Sequence, residues 1–420
     1  MSDRQHYEIA VVGGGLSGMM MAIALSYAAP GDADDPAIVL IDRDGSQRRP
    51  KRDIRTTTIH AAGKTMLETL GVWAHLEAEP TPITSIKIAD GVLPKQGLAR
   101  RRQNAFRMDW QVAETPMAFV VSNDDLLAAL QNVLARRHVH HVTDAEVTGL
   151  TRPGDGAGGS LAWLQFANRD DLACHLVVAC DGAHSQIRQA ASLPRRAATH
   201  RQTAIVANLT VERDHANTAF QRFLPTGPLA LMPHGTRQVS LVWTLPRNEA
   251  EALQDIDDDA FSAAVRDGFG DHLGDMRLDG PRLSWPLVPA VMPRLTAPNL
   301  VLAGDAGHVI HPLAGQGYNL ALGDAAVLAD SIAAAAARGL APGHRSVLAD
   351  YETGRRLEVR AMSAMTSGLN EVMSFHPRLA RLAGTGMQLI NASPVKDLLQ
   401  TAARGGRLTT ANLLQGRLPE

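Results

Sequence analysis

The chain has 420 residues, 45% of them hydrophobic and 20% charged, with a formal net charge of -2. This length exceeds one typical core and predicts two or three domains or sub-domains. The charge balance lacks the basic excess of a nucleic-acid partner, and two cysteines are too few for a disulfide framework.

The opening MSDRQHYEIAVV runs straight into a strand, with no charged n-region, apolar h-region or small-residue cleavage site. The longest uninterrupted apolar stretch, Met19 to Leu25, falls far short of the roughly 20 residues needed to cross a bilayer. Both features predict a cytoplasmic protein.

Glu8 to Val12 forms a β-rich run that ends in Gly13-Gly14-Gly15-Leu16-Ser17-Gly18, and a helical run to Ala28 follows. Strand, G-x-G-x-x-G, helix is the context in which this motif binds a dinucleotide, the bland alternative being a Gly-rich turn without a ligand. Gly13 makes the tight turn, Gly15 lets the backbone approach a pyrophosphate, and Gly18 lets helix and strand pack closely. The free N–H groups of the helix start, from Leu16 and Ser17 onward, face the phosphates. A second strand, Ala37 to Ile41, ends at Asp42, placed for an adenosine ribose hydroxyl.

Leu176 to Ala179 reads as another strand, closed by Asp181-Gly182; alone, that pair is an ordinary turn. Cys174 and Cys180 flank it and read as buried small hydrophobes. Antiparallel strands are predicted at Thr203–Val211, Thr218–Phe223, Pro228–Met232 and Gln238–Leu245, separated by polar or Gly/Pro turns. Asn299 to Ala303 is a further buried strand with Gly304-Asp305 at its end, where Asp305 suits a ribityl chain. His311-Pro312 and Gly315-Gln316-Gly317 follow, before a helix with apolar residues at Leu320, Val327, Leu328 and Ile332. Glycines before that helix let its N-terminal amides sit against a planar ring, and such an end stabilises the negative charge of a reduced flavin. His308 and His311 have the spacing of a metal pair, but no third or fourth ligand lies near in sequence and Pro312 disturbs a helical pair. From about residue 346 the chain reads as helical, with Met362, Met365, Leu369, Val372 and Met373 at helix spacing.

With these motifs in order, the chain resembles the class A flavoprotein aromatic hydroxylases. More narrowly it resembles the ubiquinone-biosynthesis hydroxylases of the octaprenylphenol and octaprenyl-methoxyphenol type. GGGLSG, CDGAHSQIR and GDAGHVIHPLAGQGYN carry the likeness. RTTTIHAAGKTMLETLGVW, NTAFQRFLPTGPLALMPH and the tail from Tyr351 through Arg355, Arg356 and Phe375 to Lys396 extend it. The resemblance implies an α/β fold: a Rossmann-like FAD-binding domain of the p-hydroxybenzoate hydroxylase kind, an inserted antiparallel-sheet substrate domain and a helical C-terminal region. Its boundaries would be 1–80, 112–195 and 282–345 for the FAD domain, 81–111 and 196–281 for the substrate domain, and 346–420 for the rest.

Carried over residue by residue, Gly13, Gly15, Leu16, Ser17 and Gly18 would hold the pyrophosphate and Asp42 the adenosine ribose. Arg55 matches an arginine near flavin and pyrophosphate, and Asn123 stands where many relatives carry an arginine. Asp181 and Gly182 belong to a motif shared by FAD and the nicotinamide donor. Asp305 would bind ribityl, while Pro312, Gly315, Gln316, Gly317 and Asn319 would line the ring. Gly307 stands where Ala is more usual.

The implied activity is ring hydroxylation of a polyprenylated phenol through a flavin C4a-hydroperoxide. FAD is the cofactor, NAD(P)H or another reductant the electron donor, and O2 the co-substrate. No side chain is assigned the deprotonation of the phenol: His234 and His311 are candidates, against the blander reading of each as a structural histidine. A long isoprenoid tail implies access to the inner face of the cytoplasmic membrane and contact with other ubiquinone-biosynthesis proteins. Leu382, Met387, Leu389 and Ile390 would line that route or dock on lipid, and Arg48–Arg52 and Arg100–Arg102 would meet anionic lipid; core packing and solvated loops are the alternatives. Two other functions stay open on these residues: hydroxylation of a small soluble phenol, and a non-catalytic flavin-bound scaffold.

Overall fold

A computed structural model of the chain describes residues 6–29, 31–44, 53–91, 106, 108–111, 115–152, 161–197, 202–375 and 410–420. The central strands of its first sheet grow from short Val/Ile/Leu/Ala runs, as expected of strands covered on both faces. β1 (His6–Val12), β2 (Ile38–Ile41), β8 (Val139–Val142), β11 (Leu172–Ala179) and β21 (Leu300–Leu302) lie parallel in the order β21-β11-β1-β2-β8. β20 (Thr296–Ala297) closes one edge antiparallel to β21. The first half of β11 also pairs with β10 (Ala162–Phe166), which in turn pairs with β9 (Val147–Thr151).

Helices α1 (Leu16–Ala28), α2 (Ala61–Thr69) and α3 (Asn123–Leu134) belong to this half, as does the short α4 (Gln186–Ala190) after β11. α7 (Gly317–Ala336) packs on α1, and α8 (Arg345–Phe375) packs on α7. Residues Met19 to Leu25 of α1 are all at most 1% exposed, so this helix is apolar all round rather than amphipathic. α7 is the same kind of helix. By length and composition it could cross a membrane, yet 78% of its most apolar window is buried inside the protein. Its apolar run is interrupted in sequence by Asn319, Gly323, Asp324 and Asp330.

The second sheet runs β17-β13-β16-β15-β14-β5-β6, with β18 also on β13. Its long strands are β13 (Gln202–Val211), β14 (Thr218–Leu224), β15 (Gly227–His234) and β16 (Gln238–Pro246), each within two residues of its predicted ends. β5 (Ser85–Asp90) joins parallel to β14, and β6 (Met108–Gln111) pairs antiparallel with β5. β17 (Met276–Leu278) and β18 (Leu283–Leu287) both pair with β13. Between β16 and β17 run α5 (Arg247–Asp255) and α6 (Asp258–Phe269), and α6 drives Phe261, Val265 and Phe269 into a core with Leu229, Leu231, Leu241 and Trp243.

Two small sheets join the halves. β3 (Thr56–His60), β7 (Ala118–Ser122) and β4 (Thr81–Ile83) form one; β12 (Arg196–Ala197), β19 (Ala290–Val291) and β22 (His308–Val309) form the other. Neither was legible in the sequence. The predicted basic clusters at 48–52 and 100–102, and Leu382, Met387, Leu389, Ile390 and Lys396, lie outside the described residues.

Candidate functional site

Four neighbouring parallel strands, β21, β11, β1 and β2, end along one edge of the first sheet. Each is followed by one of the predicted motifs: Gly304-Asp305, Asp181-Gly182, Gly13 to Gly18, and Asp42. This carboxyl edge is where open α/β sheets bind their ligands.

The glycines explain how the turns fit together. Gly13 has φ 115°, and a Cβ there would lie 2.4 Å from the carbonyl oxygen of Cys180. A Cβ on Gly18 would lie 1.7 Å from the Gly13 oxygen, so strand, turn and helix close up only without side chains. Gly304, at φ 55°, lies so close to Ser17 that an added Cβ would sit 3.0 Å from its Oγ. First, second and third motifs are therefore in mutual contact. Asp42 lies against Gly14 and accepts the amide of Asp44 at 3.1 Å.

Two helix starts at this site are left without caps. Gly15 stands at the N-cap of α1 and Gln316 at that of α7, with no side-chain cap among the described residues and no acidic residue in the first turn of either. Their leading amides are thus available to a ligand. Added Cβ atoms at Gly15, Gly182 and Gly317 would meet nothing within 4 Å, which marks the sides of the three turns that face open space. Asp305 has solvent at its surface but is walled in by protein otherwise, and that desolvation pushes its carboxyl above the usual range, with His308 and Arg55 pulling the other way. Asp181 uses Oδ2 to accept the Ile187 amide at 3.1 Å, while its buried Oδ1 has no partner among the described residues, nor has the Tyr318 hydroxyl in the first turn of α7. Uncapped amides, side-chain-free turns and unused acceptors suit a ligand with phosphates and a polyhydroxyl chain. This donor set fits FAD.

Arg55 stands at the mouth. Its guanidinium forks onto both carboxylate oxygens of Asp53 (2.7 to 3.1 Å) and lies 5.2 Å from the centroid of the Trp285 ring. The hydrogen bond that Arg55 donates to Asp53 raises its pKa despite burial, and Asp305 adds to it. Asn123 is turned to the same loop: its Nδ2 donates to Asp53 (3.3 Å) and its Oδ1 accepts from Thr57 (2.6 Å). Its described bonds thus run to protein groups.

Asn319 is buried and fully engaged. It accepts the His60 amide (3.1 Å) and donates to the Thr58 carbonyl (2.9 Å) and Gln316 Oε1 (3.1 Å), so it staples β3 to the start of α7. Gly315, at φ 64°, presses on Thr58, where a Cβ would come within 2.8 Å of Oγ1. Pro312 and Gln316 are half-buried between β22 and α7, and Gly317, the first residue of α7, is half-buried too. His311 is buried on the same connection, and His234 is half-buried at the end of β15. Cys174 is buried, its thiol pushed up to about 12 by desolvation. Cys180 is only partly covered, a departure from the expected buried role, because it sits at the turn beside Gly13 and Gly18. Two surface hollows are lined by Glu212, Arg266 and Asp275 and by Arg196, Met292 and Arg360; the second adjoins the third motif, since the Met292 amide donates to the Gly307 carbonyl at 3.2 Å.

Sequence reasoning missed three groups. Arg188, on α4, is buried and donates to the carbonyls of Ala306 (3.2 Å) and Ala183 (3.1 Å), tying the second motif to the third. Trp285 brings the second sheet to Arg55. Asp324, inside α7, bonds His308 and Arg355, so His308 has a partner quite unlike the metal pair considered above. A carboxylate amid a Leu/Ala-rich helix was the available signal.

Comparison with known proteins agrees with this geometry. The model of the family described as FAD binding domain matches residues 6–366. The chain is 35% identical over 407 residues to the ubiquinone hydroxylase UbiL of Rhodospirillum rubrum, covering 95% of this chain and 89% of that protein. It is 28% identical over 438 residues to the mitochondrial ubiquinone biosynthesis monooxygenase COQ6 of Danio rerio, covering 94% and 88%. Among solved structures, p-nitrophenol 4-monooxygenase PnpA from Pseudomonas putida superposes with a TM-score of 0.73 at 15% identity, covering 96% of this chain and 100% of that one. At that identity the likeness speaks for the fold alone.

Proposed function

This chain belongs to the FAD-binding-domain family, alongside the ubiquinone hydroxylases, and from that membership we propose that it is an FAD-dependent monooxygenase hydroxylating the ring of a polyprenylated phenol in ubiquinone biosynthesis. The observation that carries the reading is the meeting of three turns after β1, β11 and β21, with Gly304 seated on Ser17. Bound there, FAD supplies the reduction of dioxygen and delivery of one oxygen atom to an electron-rich ring, with NAD(P)H or another reductant as the electron source.

The chain's own residues do the rest. Gly13, Gly15 and the leading amides of α1 cradle the pyrophosphate, each amide donating where a side chain would intrude. Asp42 accepts from the adenosine ribose and Asp305 from the ribityl hydroxyls. The start of α7, behind Gly315 and Gly317, presents the partial positive charge of a helix N-terminus, roughly half an elementary charge, to the ring edge that becomes electron-rich on reduction. Asn319 and Gly315 hold that start against β3. Arg55, fixed by Asp53 and Trp285, keeps a permanent cation beside the site.

The substrate is phenolic. Its isoprenoid tail, and a working position on the inner face of the cytoplasmic membrane, are supported by Leu357, Met365 and Leu369, which α8 leaves 75%, 53% and 37% exposed.

The test is to reduce the purified flavoprotein anaerobically, add polyprenylphenols in detergent, admit oxygen and identify products by mass spectrometry. A product one oxygen heavier than the phenol is expected. Oxidation of the flavin with the phenol recovered unchanged, or a preparation that takes up no FAD, would end the proposal.

A further inference from the structure

Asp305 makes no side-chain hydrogen bond among the described residues, so only its backbone turn aims it. That turn runs from Gly304 to His308, and one oxygen atom holds both of its ends. Oδ2 of Asp324 accepts the Gly304 amide at 2.8 Å and His308 Nε2 at 2.7 Å. The second oxygen, Oδ1, accepts Arg355 Nε at 2.7 Å, and Arg355 also donates to the Leu320 carbonyl at 2.9 Å and pairs with Glu358. Asp324 and Arg355 are 0% exposed and His308 2%. Desolvation pushes the Asp324 carboxyl up, but His308, Arg355 and the Gly304 amide outweigh it, and the group stays ionised below the usual range.

A buried ion pair is weak evidence for a stabilising role, since well-packed apolar residues often serve as well or better. Here the geometry offers a reason for its presence. Gly304 holds a left-handed φ of 55°, a conformation the Asp324 bond secures from behind while Ser17 crowds it in front. Gly323 is part of the device, because a Cβ there would lie 2.6 Å from the Arg355 guanidinium and displace it from Asp324.

We propose that Asp324, backed by Arg355, is a positioning residue for the cofactor site, acting through His308 and Gly304 on the direction of the Asp305 carboxylate. This rests on the reading of Asp305 as a flavin contact. It assigns His308 to aiming a carboxylate rather than to metal binding or to proton transfer with substrate.

A double-mutant cycle on the apoprotein, read by quenching of FAD fluorescence on titration, tests it. Wild type, D305N, H308A, H308A/D305N and H308Q are compared after circular dichroism shows each to be folded. D305N and H308A should each weaken FAD about tenfold, roughly 1.4 kcal/mol, and the double variant no more than D305N alone. H308Q, which still reaches Asp324 with a donor, should return to within about threefold of wild type. Should H308A fail to fold, H308N takes its place, keeping an amide but withdrawing the donor. Losses that multiply to about a hundredfold would overturn the proposal alone, showing His308 to act independently of Asp305. A D305N protein that binds FAD like wild type would overturn it together with the reading beneath it.

Discussion

The two large sheets put their chemistry in different places. In the first, β1, β2, β11 and β21 run three to eight residues, are buried along most of their length, and lead at their carboxyl ends into the turns that carry most of the candidate groups. In the second, strands of seven to ten residues carry their potential specificity along their own length, in side chains facing Phe261 and Phe269 on one side and the FAD-binding half on the other. A site made of backbone amides requires glycine at fixed spacings. A surface made of side chains has no such requirement, because many apolar residues fill the same volume. A cofactor site on the first sheet is therefore legible as short motifs, whereas a binding surface on the second would be spread over a sheet.

If that division is real, damage to the second sheet should be large and local. Leu231, 0% exposed on β15 opposite Phe220 and Leu241, sits at the centre of its core. Leu231→Ala should lower unfolding free energy by about 2–5 kcal/mol through lost burial and a residual cavity, measured by denaturant titration of the holoprotein. FAD affinity of the folded fraction should stay within about twofold of wild type, under 0.5 kcal/mol. A matching loss of FAD affinity would show that the sheets act as one unit and that the division is wrong.

Within the first sheet, two glycines of one motif should part company. Gly18→Ala puts a methyl against the Gly13 oxygen, where an added Cβ falls 1.7 Å away, and should destabilise the apoprotein by about 1–3 kcal/mol or more. Gly15→Ala meets nothing in the apoprotein and has φ -80°, open to any residue. Its stability cost should not exceed about 1 kcal/mol, the scale of an N-cap change, while FAD binding falls at least tenfold. Melting curves without FAD and fluorescence titrations with it separate the two. Gly15→Ala protein that binds FAD normally would refute the idea that the open space beside α1 is the phosphate seat.

The same contrast explains what the sequence made legible. Strands β1, β2, β11 and β21, and the turns after them, were readable because burial on both faces and close approach leave few alternatives to Val, Ile, Leu and Gly. Strands β13 to β16 were readable as strands for the same reason of burial, yet none of their residues could be assigned a role. The clamp of Asp324, His308 and Arg355 was missed because its members lie 16 and 31 positions apart along the chain, and no local pattern joins a helix interior to the helix that packs on it. His308 instead drew notice through its spacing to His311, a one-dimensional cue that the fold did not use. The two small sheets were missed for a related reason. Their strands are two to five residues long, and pairing partners far away in sequence make them strands.

The smallest effect expected is also the one that separates stability from binding most sharply. Asp305 has a raised pKa in the folded apoprotein, chiefly through desolvation. A carboxyl whose folded pKa lies above its unfolded value binds its proton more tightly when folded, so stability falls as pH rises through that interval and the penalty is complete above it. Asp305→Asn removes the charge and with it the penalty. The apoprotein should therefore melt slightly higher at neutral pH in the variant than in wild type, the gap closing as pH drops toward the ordinary carboxylate range near ~3.9. Solvent at the surface of Asp305 screens the effect and keeps the gap small. FAD should reverse the order, since the wild-type carboxylate recovers its cost by accepting from the ribityl chain and the amide cannot accept as strongly. Melting curves of both proteins across pH, with and without FAD, check both halves; a variant less stable than wild type without FAD would mean that Asp305 serves the fold, and that the carboxyl edge of the first sheet is not a site held ready at the expense of stability.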